Sequence, residues 1–290
     1  MNNQMKSGLK NRRKKIIILS VIIILLLLLV IYPFYIEPGM VRFEHHDLYM
    51  PNLPENREGA TAIQLTDLHL SESTNEKVIE DAFLEINRLR PDIILMTGDY
   101  VTKDPGYTRK LEELLKLLKK GSKGKLAVLG NHDRWIPEEM VIDALSAGGF
   151  TILINENKIL ENRGGKLYIA GIDDFWTGKP DFDAALKGID LDKDAVIFLS
   201  HNPNLFFAST GRNIPVMLAG HTHGGQVKLP LLGAPILPTS NKLSDGFYRK
   251  DNTTVYINSG LGQVLPAARF LYPPEITVFT LKKGNYNAEN

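Results

Sequence analysis

Hydrophobic and polar positions divide the chain into three regimes. Residues 16–36, IIILSVIIILLLLLVIYPFYI, carry no charge and are apolar on every face of a helix. The span to Tyr32 reaches about 25 Å at about 1.5 Å per residue, and with Pro33 to Ile36 it crosses a hydrocarbon layer of about 30 Å. Residues 41–49, VRFEHHDLY, then read as a short strand and MPNLPENREG as a loop. From Ala60 a repeating unit sets in: apolar strand, polar loop, amphipathic helix. TAIQL precedes TDLHLSEST, and residues 75–90 place Val78, Ile79, Ala82, Phe83, Ile86 and Leu89 on one helical face. DIILMTGD is a second strand with its exit loop, YTRKLEELLKLLKK a helix stopped by GSKG, and KLAVLGNHD a third strand. Pro137 opens the helix PEEMVIDALSA, which a pair of glycines closes.

The third regime is richer in strands: TILIN, NKILE, KLYIAGI, AVIFLSH, PVMLAGH, TTVYINS and EITVFTLK, with helices only near 181–188 and 203–210. Strand–helix alternation followed by a strand-rich half predicts an α/β domain with two sheets rather than one doubly wound sheet. The final KKGNYNAEN reads as a frayed tail.

Charge changes the reading of the first regime. Lys6, Lys10, Arg12, Arg13, Lys14 and Lys15 precede the apolar run, with no acid among them. That asymmetry predicts a cytoplasmic N-terminus and a domain on the extracytoplasmic side of the cell membrane. A cleavable signal peptide has a shorter apolar core and a small-x-small site, which PFYIEPGM does not offer. Arg12-Arg13 sits in a poor twin-arginine context, NRRKKIII. A helix buried in a soluble core would not be apolar all round beside a basic tail. The expected organisation is a basic cytoplasmic tail at 1–15, a transmembrane anchor at 16–36, one domain at 37–283 and a flexible tail at 284–290. Beyond residue 36 the chain holds 28 basic and 33 acidic residues, about −5 net, so nucleic acid is not an expected partner. There is no cysteine, so disulfides are excluded and any metal must be held by nitrogen and oxygen donors.

The candidate chemistry sits where apolar strands end. QLTDLHL carries Asp67 and His69, ILMTGDY carries Asp99, and AVLGNHD carries Asn131, His132 and Asp133. IFLSHNP carries His201, and MLAGHTHGG carries His221 and His223. Taken singly, a strand-end Asp is a cap or turn residue and a lone His a packed core residue. Five such exits in one chain, holding five of its seven histidines, do not reduce to those separate readings. His45 and His46 lie outside the pattern and read as surface or structural. Side chains from several strands meet when they leave the same sheet edge. Imidazole and carboxylate donors suit Mn, Fe or Zn, and seven are too many for one ion. Two ions about 3.5–4 Å apart need a bridging carboxylate, for which Asp99 is placed.

Asp67-x-His69, Gly98-Asp99, Gly130-Asn131-His132-Asp133, His201 and Gly220-His221-x-His223, in that order, resemble the signature of the calcineurin-like metallophosphoesterases over roughly residues 40–282. MPNLP, TDLHL, GGQV and the tail GFY…VYINSGLGQVLPAARFLYPPEITVFTL resemble the bacterial membrane-associated branch that includes the YkuE and YaeI phosphoesterases. QVLPAARF departs from that branch's usual Pro-x-Arg pattern, which argues against Arg269 as a phosphate contact. The resemblance implies a two-sheet β-sandwich flanked by helices. It further implies one ion on Asp67, His69, Asp99 and His223 and another on Asp99, Asn131, His201 and His221. His132 would act on the phosphate and leaving group, with Asp133 orienting it or serving as a turn residue.

The activity so implied is hydrolysis of a phosphodiester or pyrophosphate by metal-activated hydroxide, with no protein nucleophile. The apolar anchor favours a lipid-linked or envelope substrate. A broad phosphomonoesterase and a non-catalytic binding scaffold are the alternatives. Specificity is expected in loops 101–108, 173–180 and 228–246, where Asp173, Asp174 and Trp176 either line the cleft or form a capped turn.

Overall fold

The computed structural model describes residues 2–119, 124–162, 165–239 and 242–286. Helix α1 (Asn2–Ile31) runs into a wide π turn at Tyr32–Ile36 and a tight 3-10 turn at Glu37–Gly39. None of its apolar stretch is covered by the rest of the described chain, which removes the buried-core reading, and its mean hydropathy of 3.3 suits a membrane span. Beyond it the chain forms β1 (Arg42–Met50), β2 (Thr61–Leu65), α2 (Glu76–Leu89), β3 (Ile93–Met96), α3 (Tyr107–Leu115), β4 (Gly124–Ala127), α4 (Glu138–Ala147) and β5 (Thr151–Ile152). Then follow β6 (Glu156–Asn162), β7 (Gly165–Gly171), α5 (Phe182–Ala185), β8 (Ala195–Leu199), α6 (Phe206–Thr210), β9 (Val216–Ala219), β10 (Gly246–Lys250), β11 (Thr253–Ile257) and β12 (Glu275–Lys283).

Two six-stranded sheets result, in the orders β1-β12-β2-β3-β4-β5 and β10-β11-β9-β8-β7-β6. Strands β2, β3 and β4 in one sheet and β7, β8 and β9 in the other are mutually parallel and largely buried on both faces, which is why they read as continuous apolar runs rather than alternating ones. In β3, Ile93 and Leu95 join the core between the sheets, while Ile94 and Met96 pack with α2, α3 and α4. In β8, Ala195, Ile197 and Leu199 join the same central core, while Val196 and Phe198 pack with α5 and α6. The chain is therefore layered helix, sheet, sheet, helix, as the two-sheet expectation required. Helix α2 buries Ile79, Ala82, Phe83 and Ile86 at helical spacing and stops where Arg90 turns left-handed.

Three elements differ from expectation. Helix α3 ends at Leu115 because Asn87 of α2 intervenes: its Nδ2 donates to Leu117 O at 2.8 Å and its Oδ1 accepts from Lys119 N at 2.8 Å. The stop expected at 121–123 lies outside the described residues, as does 287–290 of the expected tail. Strand β5 keeps only two residues of TILIN. Strand β10 is additional: an edge strand with half-exposed side chains, it lacks the alternation that marks a strand in sequence.

The carboxyl ends of β2, β3 and β4 in one sheet and β8 and β9 in the other share one edge. Gln64 bridges the sheets there, its Nε2 donating to Ala219 O at 2.9 Å and Thr97 Oγ1 at 3.1 Å.

Candidate metal centre

Past the last strand residues the exits stay bonded to each other. Asp67 N–H donates to Gly98 O at 2.9 Å, His69 N–H to Asp99 O at 3.1 Å and Gly220 N–H to His201 O at 3.0 Å. The exits also bend sharply. Asp67, His69, Asp99, His221 and His223 have φ of 54°, 47°, 56°, 74° and 52°, in the left-handed region. Such backbone costs roughly 1–3 kcal/mol per residue and gathers where function over-determines it. Glycines supply the room: a Cβ on Gly130 would lie 2.2 Å from Asp99 Oδ1, and one on Gly220 would lie 2.4 Å from Asp67 Oδ2.

The side chains converge as two fully buried donor groups, and a third, of His69, Asp99 and the part-buried His132, shares a member with each. In the first, His223 Nε2 lies 3.3 Å from Asp67 Oδ1 and 3.0 Å from His69 Nε2, and His69 Nε2 lies 3.6 Å from Asp67 Oδ1. In the second, His201 Nε2 lies 3.1 Å from both Asp99 Oδ2 and His221 Nδ1. Asp99 Oδ2 is also 3.5 Å from His69 Nε2, so a single carboxylate oxygen faces both groups. Three of the four outward ring nitrogens are spoken for, and that of His223 is buried with no hydrogen-bond partner. His201 Nδ1 donates to Thr97 O at 2.8 Å, His221 Nε2 to Pro238 O at 3.2 Å, and His69 Nδ1 meets Thr102 Oγ1 at 2.7 Å. The bonds of His201 and His221 put an N–H of each ring on its outward nitrogen, so the inward nitrogens face the centre. That of His221 is a bare lone pair, and that of His201 carries a proton against Asp99 that a bound cation would displace. Asp67 Oδ2 accepts from Thr66 Oγ1 at 2.7 Å and His221 N at 2.9 Å, while Asp67 Oδ1 and Asn131 Oδ1 are buried with no hydrogen-bond partner. Inward ring nitrogens 3.0–3.1 Å apart, together with orphaned oxygens, suit divalent cations.

Electrostatics agree. Burial favours neutral acids at Asp67 and Asp99, yet the facing imidazoles outweigh it and hold both carboxyls well below the usual range. Burial opposes charge on His201 as well, but Asp99 beside it pushes that imidazole up to about 10. Burial, reinforced by His201, takes His221 down to about 4, and burial likewise lowers His223. Among the described residues no lysine or arginine pairs with Asp67 or Asp99, so positive charge is what the centre lacks.

His132 stands beside this centre. Its ring is 4.6 Å from that of His69, its amide donates to Asp99 Oδ1 at 2.8 Å, and burial takes it down to about 4. Asp133 does not bond the His132 ring, whose Nδ1 is without a hydrogen-bond partner. Its carboxylate accepts instead from the amides of Asp99, Tyr100 and Gly130. Burial and the Asp99 charge push it up to about 7 against those bonds. Arg269 is fully buried, its guanidinium donating to the carbonyls of Ser259, Gly260 and Gly262, so it buttresses the chain behind Asp67 rather than reaching the opening. The capped turn at 173–180 exists, with Asp174 Oδ2 accepting from Trp176 N and Thr177 N at 2.8 Å. Trp176 does not pack inward, however. It is half exposed, with its ring 4.3 Å from His221. Trp135, which sequence reasoning missed, lies over His132 with ring centroids 3.7 Å apart. It follows NHD by one residue, the only signal that could have found it.

Residues 60–225 match the family model described as calcineurin-like phosphoesterase. The metallophosphoesterase YkuE of Bacillus subtilis is 36% identical over 259 residues, covering 88% of this chain and 90% of that protein. The phosphodiesterase YaeI of Escherichia coli is 29% identical, covering 86% and 92%. A dimetal phosphatase from Danio rerio shares the fold, with a TM-score of 0.51 at 12% identity, covering 78% of this chain and 93% of that one.

Proposed function

The chain belongs to the calcineurin-like phosphoesterases, and from that premise we propose that it is a membrane-anchored phosphodiesterase or pyrophosphatase with a two-cation centre. Asp67, His69, Asp99 and His223 would hold one cation, and Asp99, Asn131, His201 and His221 the other. The observation that carries this reading is Asp99 Oδ2, which faces His69 at 3.5 Å and His201 at 3.1 Å. When bound, two divalent cations supply positive charge for the phosphoryl oxygens and a water acidic enough to attack near neutral pH.

The chain's own residues do the rest. The second nitrogens of His69, His201 and His221 are tied to Thr102, Thr97 and Pro238, which fixes all three rings, and the carbonyl partners of His201 and His221 require an N–H on the outward nitrogen. His132 protonates the departing oxygen. Burial keeps it neutral in isolation, and the negative charge of a bound phosphoester favours its protonated form. Trp135, against His132, and Trp176, against His221, are half exposed beside the centre and offer apolar contact to a substrate. The diester preference leans on the Escherichia coli relative, named a phosphodiesterase. The lipid-linked or envelope substrate leans on α1, whose basic N-terminal flank supports a cytoplasmic N-terminus and a domain outside.

The test is turnover of bis-p-nitrophenyl phosphate against p-nitrophenyl phosphate by the full chain, with and without Mn²⁺, after elemental analysis. Preference for the diester with two equivalents of metal is expected. Preference for the monoester would make the protein a phosphomonoesterase, and turnover of neither would make it a scaffold. Protease added to intact cells should digest the domain, and protection would reverse the topology.

A further inference from the structure

Beyond Ile36, the four most exposed large hydrophobic side chains among the described residues are Leu231 at 106%, Leu265 at 83%, Leu232 at 80% and Ile236 at 76%. They fall on two loops, and neither loop is charged where they lie: residues 229–239 read LPLLGAPILPT and residues 263–268 read QVLPAA. The loops are held side by side. Phe270 N–H donates to Gln226 O at 3.0 Å and Lys228 N–H to Phe270 O at 2.9 Å, while Gln226 Nε2 donates to Val264 O at 3.0 Å. They form one surface rather than two frayed ends.

That surface adjoins the exit of α1. Arg269 N–H donates to Pro33 O at 2.8 Å, and the Tyr32 and Phe270 rings meet edge to face at 6.3 Å. The buried Glu37 carboxylate accepts from Leu271 N at 2.8 Å and from Tyr272 N. The last turn of the apolar helix is thus bonded to the loop that carries Leu265 and Leu271. At the same level Tyr35 is 81% exposed, as an aromatic side chain at a membrane interface would be.

We propose that loops 229–237 and 264–271 dip into the interface of the bilayer that α1 crosses, seating the domain on the lipid surface. Exposed leucines with no neighbouring charge gain by entering the acyl boundary, and the bonded helix exit puts them at its height. The first loop begins six residues past His223 and returns to the centre at Pro238, whose carbonyl accepts from His221 Nε2. The seat therefore sets the metal centre against the membrane. The proposal rests on α1 lying in the bilayer and not on any reading of the chemistry.

The chain lacks cysteine, so single substitutions take a nitroxide label without background. Leu25→Cys, Leu231→Cys, Leu265→Cys and Asp192→Cys full-length proteins would be placed in phosphatidylcholine vesicles, with collisions measured against oxygen and an aqueous nickel chelate. Asp192, exposed in the turn before β8, lies at the far end of the strands. Labels at 25, 231 and 265 should show an oxygen-to-nickel ratio several-fold above that at 192. Lipid exposure at 25 with a water-like ratio at 231 and 265 would overturn the seat and leave the anchor standing. A water-like ratio at 25 would remove the anchor and the seat together. Dipolar broadening at 231 that vanishes on dilution with unlabelled chain would assign the surface to a second copy, which also overturns the proposal.

Discussion

The main-chain amide of Asp99 donates to the Asp133 carboxylate at 2.8 Å, so the exit of β3 is held by a residue from the exit of β4. The same carboxylate accepts from Tyr100 at 2.8 Å and Gly130 at 2.9 Å. Asp133→Ala would strand these buried donors at about 1–3 kcal/mol each. A loss of about 3–5 kcal/mol is expected, with Asp133→Asn less damaging because it keeps one acceptor. Urea denaturation checks this, and an unchanged midpoint would show that the anchor is dispensable.

Asp99 and Asn131 should separate by metal content. Asp99 faces both donor groups, whereas the proposed assignment gives Asn131, whose Oδ1 is buried without a partner, to one cation only. Asp99→Ala is expected to retain neither cation and to be inactive, and Asn131→Ala to retain about one. Elemental analysis of the dialysed proteins distinguishes the two cases.

His132→Ala should keep both cations and lose turnover by about 10²–10⁴-fold, the usual weight of a positioned acid. The loss should shrink for substrates with good leaving groups. Stoichiometric loss of metal instead would place His132 among the ligands.

Acid should weaken the fold. His132 and His221 sit at about 4 and His223 is also lowered, all through burial, against about 6.5 when unfolded. Stability is full above about 6.5 and is lost as pH falls toward 4, where the unfolded chain binds more protons. Asp133, at about 7, acts oppositely in this window and offsets one histidine. His201, at about 10, is protonated in the folded state throughout it. Protons also compete with cations for these rings, in the same direction. Urea midpoints between pH 7 and 4.5 should fall, less steeply for His132→Ala.

Trp176 offers an exposed face 4.3 Å from His221. Trp176→Ala should raise KM for diesters with bulky or aromatic groups roughly two- to ten-fold, equivalent to about 0.5–1.5 kcal/mol for one aromatic contact, with kcat less affected. An equal effect on methyl esters would deny it a role in recognition.

Both layers of the fold were legible in the chain because buried parallel strands and amphipathic helices write different periods. The residues of the centre were legible for another reason: each follows an apolar run that must end at a sheet edge. What was hidden depends on contacts across the chain. Nothing near Leu115 says that Asn87 will stop its helix, and nothing beside Asp133 says that its carboxylate belongs to the amides of residues 99 and 100 rather than to the adjacent imidazole. The departure of QVLPAARF from the Pro-x-Arg pattern argues against Arg269 as a phosphate contact, but nothing near it says that Ser259, Gly260 and Gly262 turn their carbonyls toward it. Trp135 and Trp176 look like packing residues because their exposure is decided by which loops stand opposite.

Strand β12 has a consequence for biogenesis. It lies between β1 and β2, parallel to one and antiparallel to the other, and β1 has no other sheet neighbour. The segment joined directly to the helix exit thus waits for residues 275–283 to be made before it can enter any sheet. In a nascent chain with this wiring the first sheet is completed only after almost the whole domain has been synthesised.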